Sequence, residues 1–366
     1  MVWDVAVIGS GPAGSAVSVH CRRAGLTTAI FTLPPRRLSA QIPETLPAAA
    51  RPLLESLGIG EGFDQVGLRE QYAMCSAWGS HSMTTRHSIC DPAGPGWFVD
   101  RPAFDAELNR QATKDGDVPV IRGRIGSASR EGGHWMLRFH IPGTSESFSV
   151  SAAVVVDATG RSSAFARRIG IRRTAYDQLI SVSARAVPRG AWAGEALVES
   201  VPDGWWFSAL TPRGDLSVSW FTGAGLLRPT DRSLAGFEGR LRTTVHTGAR
   251  VANLLPAGLT YRSACTDRLE VFGGSGWIAV GDAAVACDPL GSQGVMRALE
   301  SAAAASRMIV SNHTSDEQKI LAYSASQIDY LKRFLGDRHH LYAIERRWPQ
   351  APFWAAAVTQ KLSYQE

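Results

Sequence analysis

Near its start this chain runs a short apolar strand straight into a glycine turn and then a helix, and few sequence features restrict a fold more. Val5-Ala6-Val7-Ile8 is followed without a gap by Gly9-Ser10-Gly11-Pro12-Ala13-Gly14. Ser15 to Arg23 reads as a helix, Gly25 stops it, and Thr27 to Phe31 reads as a second strand. A strand, GxGxxG, helix, strand unit of about 30 residues is the context in which the motif predicts a dinucleotide cradle in a parallel sheet. Gly9 makes the tight turn, Gly11 lets backbone approach a pyrophosphate, and Gly14 lets the helix sit close to the strand. The helix N-terminus then offers N–H groups and the positive end of its dipole to the phosphates. An acidic residue normally ends the second strand and accepts hydrogen bonds from the adenosine ribose. Here Thr32 stands in that place, and no Asp or Glu occurs before Glu44. A neutral hydroxyl is a weaker acceptor than a carboxylate, so weaker adenosine binding is expected, or a contribution from Arg36 or Arg37.

Two later segments extend the pattern. Val154-Val155-Val156-Asp157-Ala158-Thr159-Gly160 is a buried strand ending in a glycine turn, followed by Arg161-Ser162-Ser163. Gly276 to Ala284 gives another strand ending in Gly281-Asp282, and Asp288-Pro289-Leu290-Gly291-Ser292-Gln293-Gly294 precedes a helix from Val295 to about Ile309. Arg101 to Ala112 reads as a helix carried by Phe104, Leu108 and Ala112. Val118–Ile121, Trp135–Phe139 and Phe148–Val150 read as exposed strands of a small antiparallel meander. From Tyr176 to Thr222 the pattern changes to long alternating strands at Leu179–Ala186, Ala196–Val201, Trp205–Leu210 and Leu216–Phe221, which Gln71–Trp78 and Thr84–Ile89 can join. Beyond Ser315 the chain reads as helical. The fold class is therefore α/β (α+β): a GxGxxG Rossmann-like domain with an inserted antiparallel β-sheet domain and C-terminal helices. The expected division is 1–70, 97–175 and 262–310 for the nucleotide domain, 71–96 and 176–261 for the sheet domain, and 311–366 for the helical segment.

Composition excludes several function classes. Of 38 basic residues only Lys114, Lys319, Lys332 and Lys361 are lysines, and the arginines are scattered without a basic stripe, so the net charge of +5 does not point to nucleic acid. Five cysteines without a CxxC pair predict neither a disulfide framework nor a metal site, and His339-His340 lacks the partners of a ligand set. No apolar run is long enough to span a membrane, and Met1-Val2-Trp3-Asp4 enters a strand at once, so a cytoplasmic protein is expected.

The order GxGPAG, an arginine opening a helix (Arg101), DATG, then GDAA and DPLGSQG resembles the single-Rossmann FAD superfamily of aromatic hydroxylases, flavin-dependent halogenases and geranylgeranyl reductases. The resemblance covers nearly the whole chain. It implies that Gly9, Gly11, Pro12, Ala13, Gly14, Thr32, Arg101, Asp157, Gly160, Gly281 and Asp282 bind FAD. Asp282 would serve the ribityl and pyrophosphate side, while Gly291, Ser292, Gly294 and Val295 would lie along the isoalloxazine. Pro289 and Gln293 would stand at the reacting edge. Glu44-Thr45-Leu46-Pro47 resembles a segment of the halogenase-like branch that runs beside the flavin ring, with Pro43 where that branch has glycine, and makes Glu44 a candidate acid or base. Cys287 reads as a small core residue rather than a covalent flavin link. His81, His87 and Tyr176 are placed near the pocket by analogy.

Gly204-Trp205-Trp206-Phe207 resembles the GWW segment of the same branch, and Trp205, Trp206, Trp220 and Trp78 are the expected substrate wall, although alternate residues of a strand face opposite ways. The resemblance implies a monooxygenase in which reduced FAD meets O₂, forms a C4a-hydroperoxide and hydroxylates an aromatic ring. The Glu345-Arg346-Arg347-Trp348-Pro349-Gln350-Ala351-Pro352-Phe353-Trp354 tail is most similar to flavoproteins that mature cysteine tryptophylquinone, so the expected substrate is an aromatic small molecule or a tryptophan of a partner polypeptide. Halogenation is the alternative, disfavoured because no lysine precedes Lys114. Reduction of isoprenoid double bonds and a non-enzymatic FAD scaffold complete the set. Gly273-Gly274-Ser275-Gly276 precedes a strand and so makes no second dinucleotide site. Electrons are thus expected from transient NAD(P)H or from a partner flavin reductase.

Overall fold

Val5, Ala6 and Val7 have no exposed surface, because the opening strand Val2–Ile8 runs through the middle of a sheet covered on both faces. The computed structural model describes residues 2–33, 44–60, 67–190, 192, 194–312, 314 and 316–359. Val2–Ile8 pairs in parallel with Thr28–Thr32 on one side and with Ser147–Asp157 on the other. Trp277–Ala279 and Val120–Arg122 extend the parallel set at its two edges. Helix Pro12–Arg23 lies over this sheet and packs on helices Arg101–Ala112 and Gly294–Val310. Its inner residues, Ala13, Ala16, Val17 and Val19, are small enough to allow that.

The meander differs from the expectation. Val120–Arg122 is an edge strand of the parallel sheet, and the antiparallel layer is Arg124–Glu131, His134–His140 and the first half of Ser147–Asp157. Phe148–Val150 and Val154–Asp157, read as two elements, form one strand that is antiparallel at its start and parallel at its end. The layer is not exposed either. Trp135, Leu137 and Phe139 are buried, and Phe139 stacks on Phe31 at 4.4 Å and on Phe148 at 5.4 Å. Alternation marks which face of a strand is apolar but not what covers it.

The second sheet runs in the order Val251–Leu254, Leu179–Pro188, Leu216–Gly223, Gly204–Leu210, Glu195–Val201, Ala73–Ala77, Thr84–His87. All neighbours are antiparallel except Glu195–Val201 on Ala73–Ala77. Strand Thr260–Ser263 also pairs with Leu179–Pro188, so the expected boundary between residues 261 and 262 falls inside a strand of this sheet. Both faces of its central strands, Leu216–Gly223, Gly204–Leu210 and Glu195–Val201, are buried. Trp205, Phe207 and Phe221 pack with Phe98, Tyr342, Phe353 and Trp354 on one side. Trp206 and Trp220 pack with Val182, Phe237 and Leu241 on the other.

The C-terminal helix Glu317–Ile344 begins at Asp316, whose carboxylate accepts from the backbone N–H of Lys319 at 3.2 Å. After it, Glu345 pins the tail to the second sheet. Its buried carboxylate accepts from Ser200 Oγ at 2.7 Å, from the backbone N–H of Gly79 at 2.9 Å and from Arg347 at 2.6 Å. Helix Pro352–Thr359 follows, with Trp354 Nε1 donating to the Val201 carbonyl at 2.8 Å.

Candidate functional site

The ends of the parallel strands open onto a cavity of about 790 Å³. The position follows from topology, since ligands of open α/β sheets bind beyond the carboxyl ends of the strands. Residues as far apart as Gly9 and Ala298 line it.

The glycine turn forms one wall. Gly9 adopts φ +110°, and a Cβ there would overlap the carbonyl oxygen of Ala158; a Cβ on Gly14 would overlap the carbonyl oxygen of Gly9. These two glycines hold the turn, the first helix and the Ala158 crossing in close contact. Gly11 is different, because a Cβ built on it meets nothing within 4 Å and it faces the cavity. Two helices, Pro12–Arg23 and Gly294–Val310, begin at this cavity. Neither has a side-chain cap or an acidic residue in its first turn. Their N–H groups and dipoles are thus left for an anionic ligand.

Thr32 lies at the end of its strand on the cavity wall, with its hydroxyl 2.8 Å from Ser10 Oγ. A pair of hydroxyls therefore stands where a ribose carboxylate is usual. Arg36, Arg37 and Pro43 lie outside the described residues. Arg101 reaches the cavity and is held there by carboxylates. Its Nη1 donates to Glu44 Oε1 at 2.6 Å and its Nε to Asp105 Oδ1 at 3.1 Å. Burial works against the guanidinium charge, but Glu44 and Asp105 outweigh it and raise the Arg101 pKa. Glu44 thus enters the site as one half of an ion pair.

Asp282 lines the cavity opposite, with Arg161 Nε 3.7 Å from its Oδ2. Burial pushes the Asp282 carboxyl up, against the pull of Arg161. Arg161 also donates to the carbonyls of Cys265 and Cys287, tying the Gly160 turn to the last loop. Within that loop Asp288 Oδ1 accepts from the Leu290 N–H at 2.8 Å and Pro289 faces the cavity, as do Ser292, Gly294 and Val295. Ser292 takes the left-handed conformation at φ +50°. Cys287 lines the cavity too, and burial pushes its thiol up to about 12, so it is a neutral wall residue.

Of the residues singled out from sequence, Gly9, Gly11, Pro12, Ala13, Thr32, Glu44, Arg101, Gly160, Asp282, Pro289, Ser292, Gly294 and Val295 meet around this cavity. Others stand behind the wall. Asp157 is buried and accepts from the Thr159 N–H at 3.1 Å and the Ala166 N–H at 2.9 Å, which fixes the turn rather than facing the cavity. Gly281 packs on Ala13 and Ala298 and donates to Ser301 Oγ at 2.8 Å; Gly291 packs on Phe334; Gln293 accepts from the Tyr330 hydroxyl at 3.1 Å.

The expected tryptophan wall does not coincide with this cavity. None of Trp78, Trp205, Trp206 and Trp220 lines the cavity. Trp206 and Trp220 are on the far face of the sheet, where the Arg240 guanidinium sits 4.2 Å from the Trp220 ring. Trp205 stacks on Phe221 at 3.9 Å inside the aromatic core, beside Trp78. The pleat sends neighbours to opposite faces, and here both faces are covered. Second-sheet residues that do reach the cavity are Arg262, Ser263 and Ala264, from a strand that carries no motif. Arg161 and Asp288 were also passed over, although each adjoins a recognised motif. His81 and His87 are exposed on and beside the second sheet, away from the cavity lining, and Tyr176 hydrogen-bonds Arg268 at 2.8 Å.

The fit to a dinucleotide rests on these features together: an open Gly11 at one uncapped helix, an open Gly294 at another, and carboxylate–arginine pairs between them. No helix of the described residues is long and apolar enough to cross a membrane.

No family model matches the chain. LodB of Marinomonas mediterranea, assigned as an FAD-dependent oxidoreductase, is 26% identical over 367 residues, covering 96% of this chain and 96% of LodB. Among solved structures, the myxobacterial chondrochloren halogenase CndH, a variant of FAD-dependent halogenases, superposes with TM-score 0.85 at 20% identity, over 97% of this chain and 86% of its own. The peptidyl tryptophan dihydroxylase QhpG, essential for tryptophylquinone cofactor biogenesis, superposes with TM-score 0.76 at 22% identity, over 98% of this chain and 79% of its own. The chain has the fold of FAD-dependent halogenases and is similar over nearly its whole length to an FAD-dependent oxidoreductase, and FAD is its cofactor.

Proposed function

We propose that this FAD-dependent oxidoreductase is a monooxygenase that inserts oxygen into an aromatic ring, an indole carried by a tryptophyl peptide or partner polypeptide. One observation carries the choice within the superfamily: among the described residues the charged lining of the cavity is Glu44, Asp282 and Asp288 with Arg101, Arg124, Arg161 and Arg262, without a lysine. Family halogenases use a lysine to capture hypohalous acid. Here Lys114, Lys319 and Lys332 are exposed at the surface and none is in the lining. Similarity to a peptidyl tryptophan dihydroxylase supports the substrate class.

Bound FAD supplies two-electron transfer and, when reduced, activation of O₂. The chain's own residues do the rest. Gly9 to Ala13 and the first helix N-terminus hold the pyrophosphate, Ser10 and Thr32 take the ribose, and Asp282 takes the ribityl hydroxyls. The N-terminus at Gly294 stabilises negative charge beside it. Glu44 positions Arg101 at the wall, and Pro289, Val295 and Ala298 exclude water. With a single dinucleotide cradle, electrons arrive from transient NAD(P)H or a partner flavin reductase.

The test is turnover of FAD-loaded protein with NADPH, a flavin reductase and tryptophyl peptides under ¹⁸O₂. A labelled product heavier by one or two oxygen atoms supports the reading. A product that appears only with bromide or chloride, or reduction of a prenyl double bond, overturns it.

A further inference from the structure

Behind the cavity wall lies a run of aromatic rings that the proposed chemistry does not use. It starts at Asp288, which faces the cavity and whose Oδ2 accepts from the Tyr342 hydroxyl at 2.7 Å. Tyr342 is fully buried; its hydroxyl also accepts from Trp205 Nε1 at 3.0 Å. The Tyr342 ring is 5.7 Å from Trp354 and 5.8 Å from Trp78, and those two indoles are 5.3 Å apart. Trp354 is 6.5 Å from Trp348, which is partly exposed and lies under the Arg347 guanidinium at 4.2 Å. The indole N–H groups of Trp78 and Trp354 both donate to backbone carbonyls, at 2.7 and 2.8 Å. Burial and the adjoining Asp288 hold the Tyr342 phenol protonated.

We propose that Tyr342, Trp354 and Trp348 form a conduit that carries single oxidising equivalents out of the cavity to the surface. Aromatic side chains are the protein groups most readily oxidised by one electron after thiols, and electron tunnelling falls steeply with separation, so an unbroken series of neighbouring rings is what such transfer needs. The oxidant is an oxygen radical left by incomplete coupling of O₂ reduction to substrate, and to that extent the proposal rests on the oxygenase reading. A hydroperoxyl radical takes one electron from Tyr342 and one proton from water and leaves as hydrogen peroxide. The phenolic proton of Tyr342 passes along its existing hydrogen bond to the Asp288 carboxylate. An electron from Trp354 refills Tyr342, which recovers its proton from Asp288. Trp348 then reduces Trp354, and a solution thiol reduces Trp348. The net change is one thiol oxidised to a thiyl radical, its proton neutralising the hydroxide that the water left, and one hydroperoxyl radical reduced to hydrogen peroxide.

Pulse radiolysis of the full chain tests this without flavin or turnover, so it stands or falls apart from the oxygenase reading. Azide radicals oxidise accessible tryptophans and load the path from its outer end; since the same ring contacts carry the charge in either direction, the expected result is a concentration-independent decay of the indolyl band into a phenoxyl band. The phenoxyl yield falls in Tyr342→Phe, which keeps the ring, the remainder coming from the other six tyrosines. It also falls in Trp348→Phe, a change at the partly exposed end that leaves the core intact. Phenoxyl formation with the same rate and yield in both variants overturns the proposal. During turnover without substrate, peptide mapping should find oxygen added at Trp348 in the natural chain and at cavity residues such as Cys287 in Tyr342→Phe. The same oxidation map in both proteins also overturns it.

Discussion

The two sheets meet the cavity in opposite ways. The parallel sheet brings its strand ends to the cavity, Ile8, Phe31 and Leu33 among them, beside a glycine turn and two helix ends where a Cβ is excluded at Gly9 and Gly14. The second sheet is rich in bulky aromatics yet brings only Arg262, Ser263 and Ala264 to the cavity, its tryptophans being spent on two cores of its own. The glycine turn keeps backbone open to the cavity, while the tryptophans of the second sheet pack in two cores beside it. Each difference can be broken separately.

The largest effect should come from Gly14→Val. The added carbons run into the Gly9 carbonyl with rigid backbone on both sides, so destabilisation of at least about 3 kcal/mol is expected. Soluble yield and retained yellow colour after gel filtration measure it. Next is Trp220→Ala, which empties a fully buried site and should cost about 3–5 kcal/mol in denaturant unfolding. If the far face only packs, KM for substrate stays as it was in whatever fraction folds; a large rise in KM would restore Trp220 to the substrate wall.

Glu345 tests how the tail is fastened to the second sheet. Burial raises its pKa, but Arg347 and Ser200 outweigh that and bring it from 4.5 to about 2. A depressed carboxylate gives stability that is fully present above pH 4.5 and lost as pH falls toward 2. Thermal unfolding of the natural chain should therefore weaken across that window, with a shallower slope in Glu345→Gln. The smallest effect concerns the ribose. Thr32→Asp replaces one of two neighbouring hydroxyls by a charged acceptor and should tighten FAD binding by about fivefold, roughly 1 kcal/mol. Equal or weaker binding in a flavin titration would show that the Ser10–Thr32 pair is already sufficient.

These contrasts also explain what could be read from the chain beforehand. Gly9 to Gly14, Gly160, Asp282 and the loop before Gly294 are legible because each must keep a particular backbone shape, and such constraints act locally. The strand periods of the second sheet were equally plain. What stayed hidden depends on contacts across long sequence distance. Nothing in Trp205-Trp206 says which face meets the cavity, and nothing in Arg262-Ser263-Ala264 says that it does. Asp157 carries a motif yet turns inward to hold the Thr159 and Ala166 N–H groups. The meander departs from expectation for a related reason: whether Val120–Arg122 joins its neighbours in sequence or the edge beside Thr28–Thr32 is settled by register, which composition does not encode.

The strand Ser147–Asp157 has a consequence for how the protein is made. Its parallel half waits for Trp277 and Ile278, more than a hundred residues downstream, to occupy its free edge. A ribosome must therefore deliver about three quarters of the 366 residues before the first sheet closes, and until then Val155 and Val156 offer unsatisfied backbone to any passing chain. The cavity wall from Val280 to Ala298 also lies beyond this point, so a nascent product cut short before residue 277 should emerge colourless and prone to aggregate.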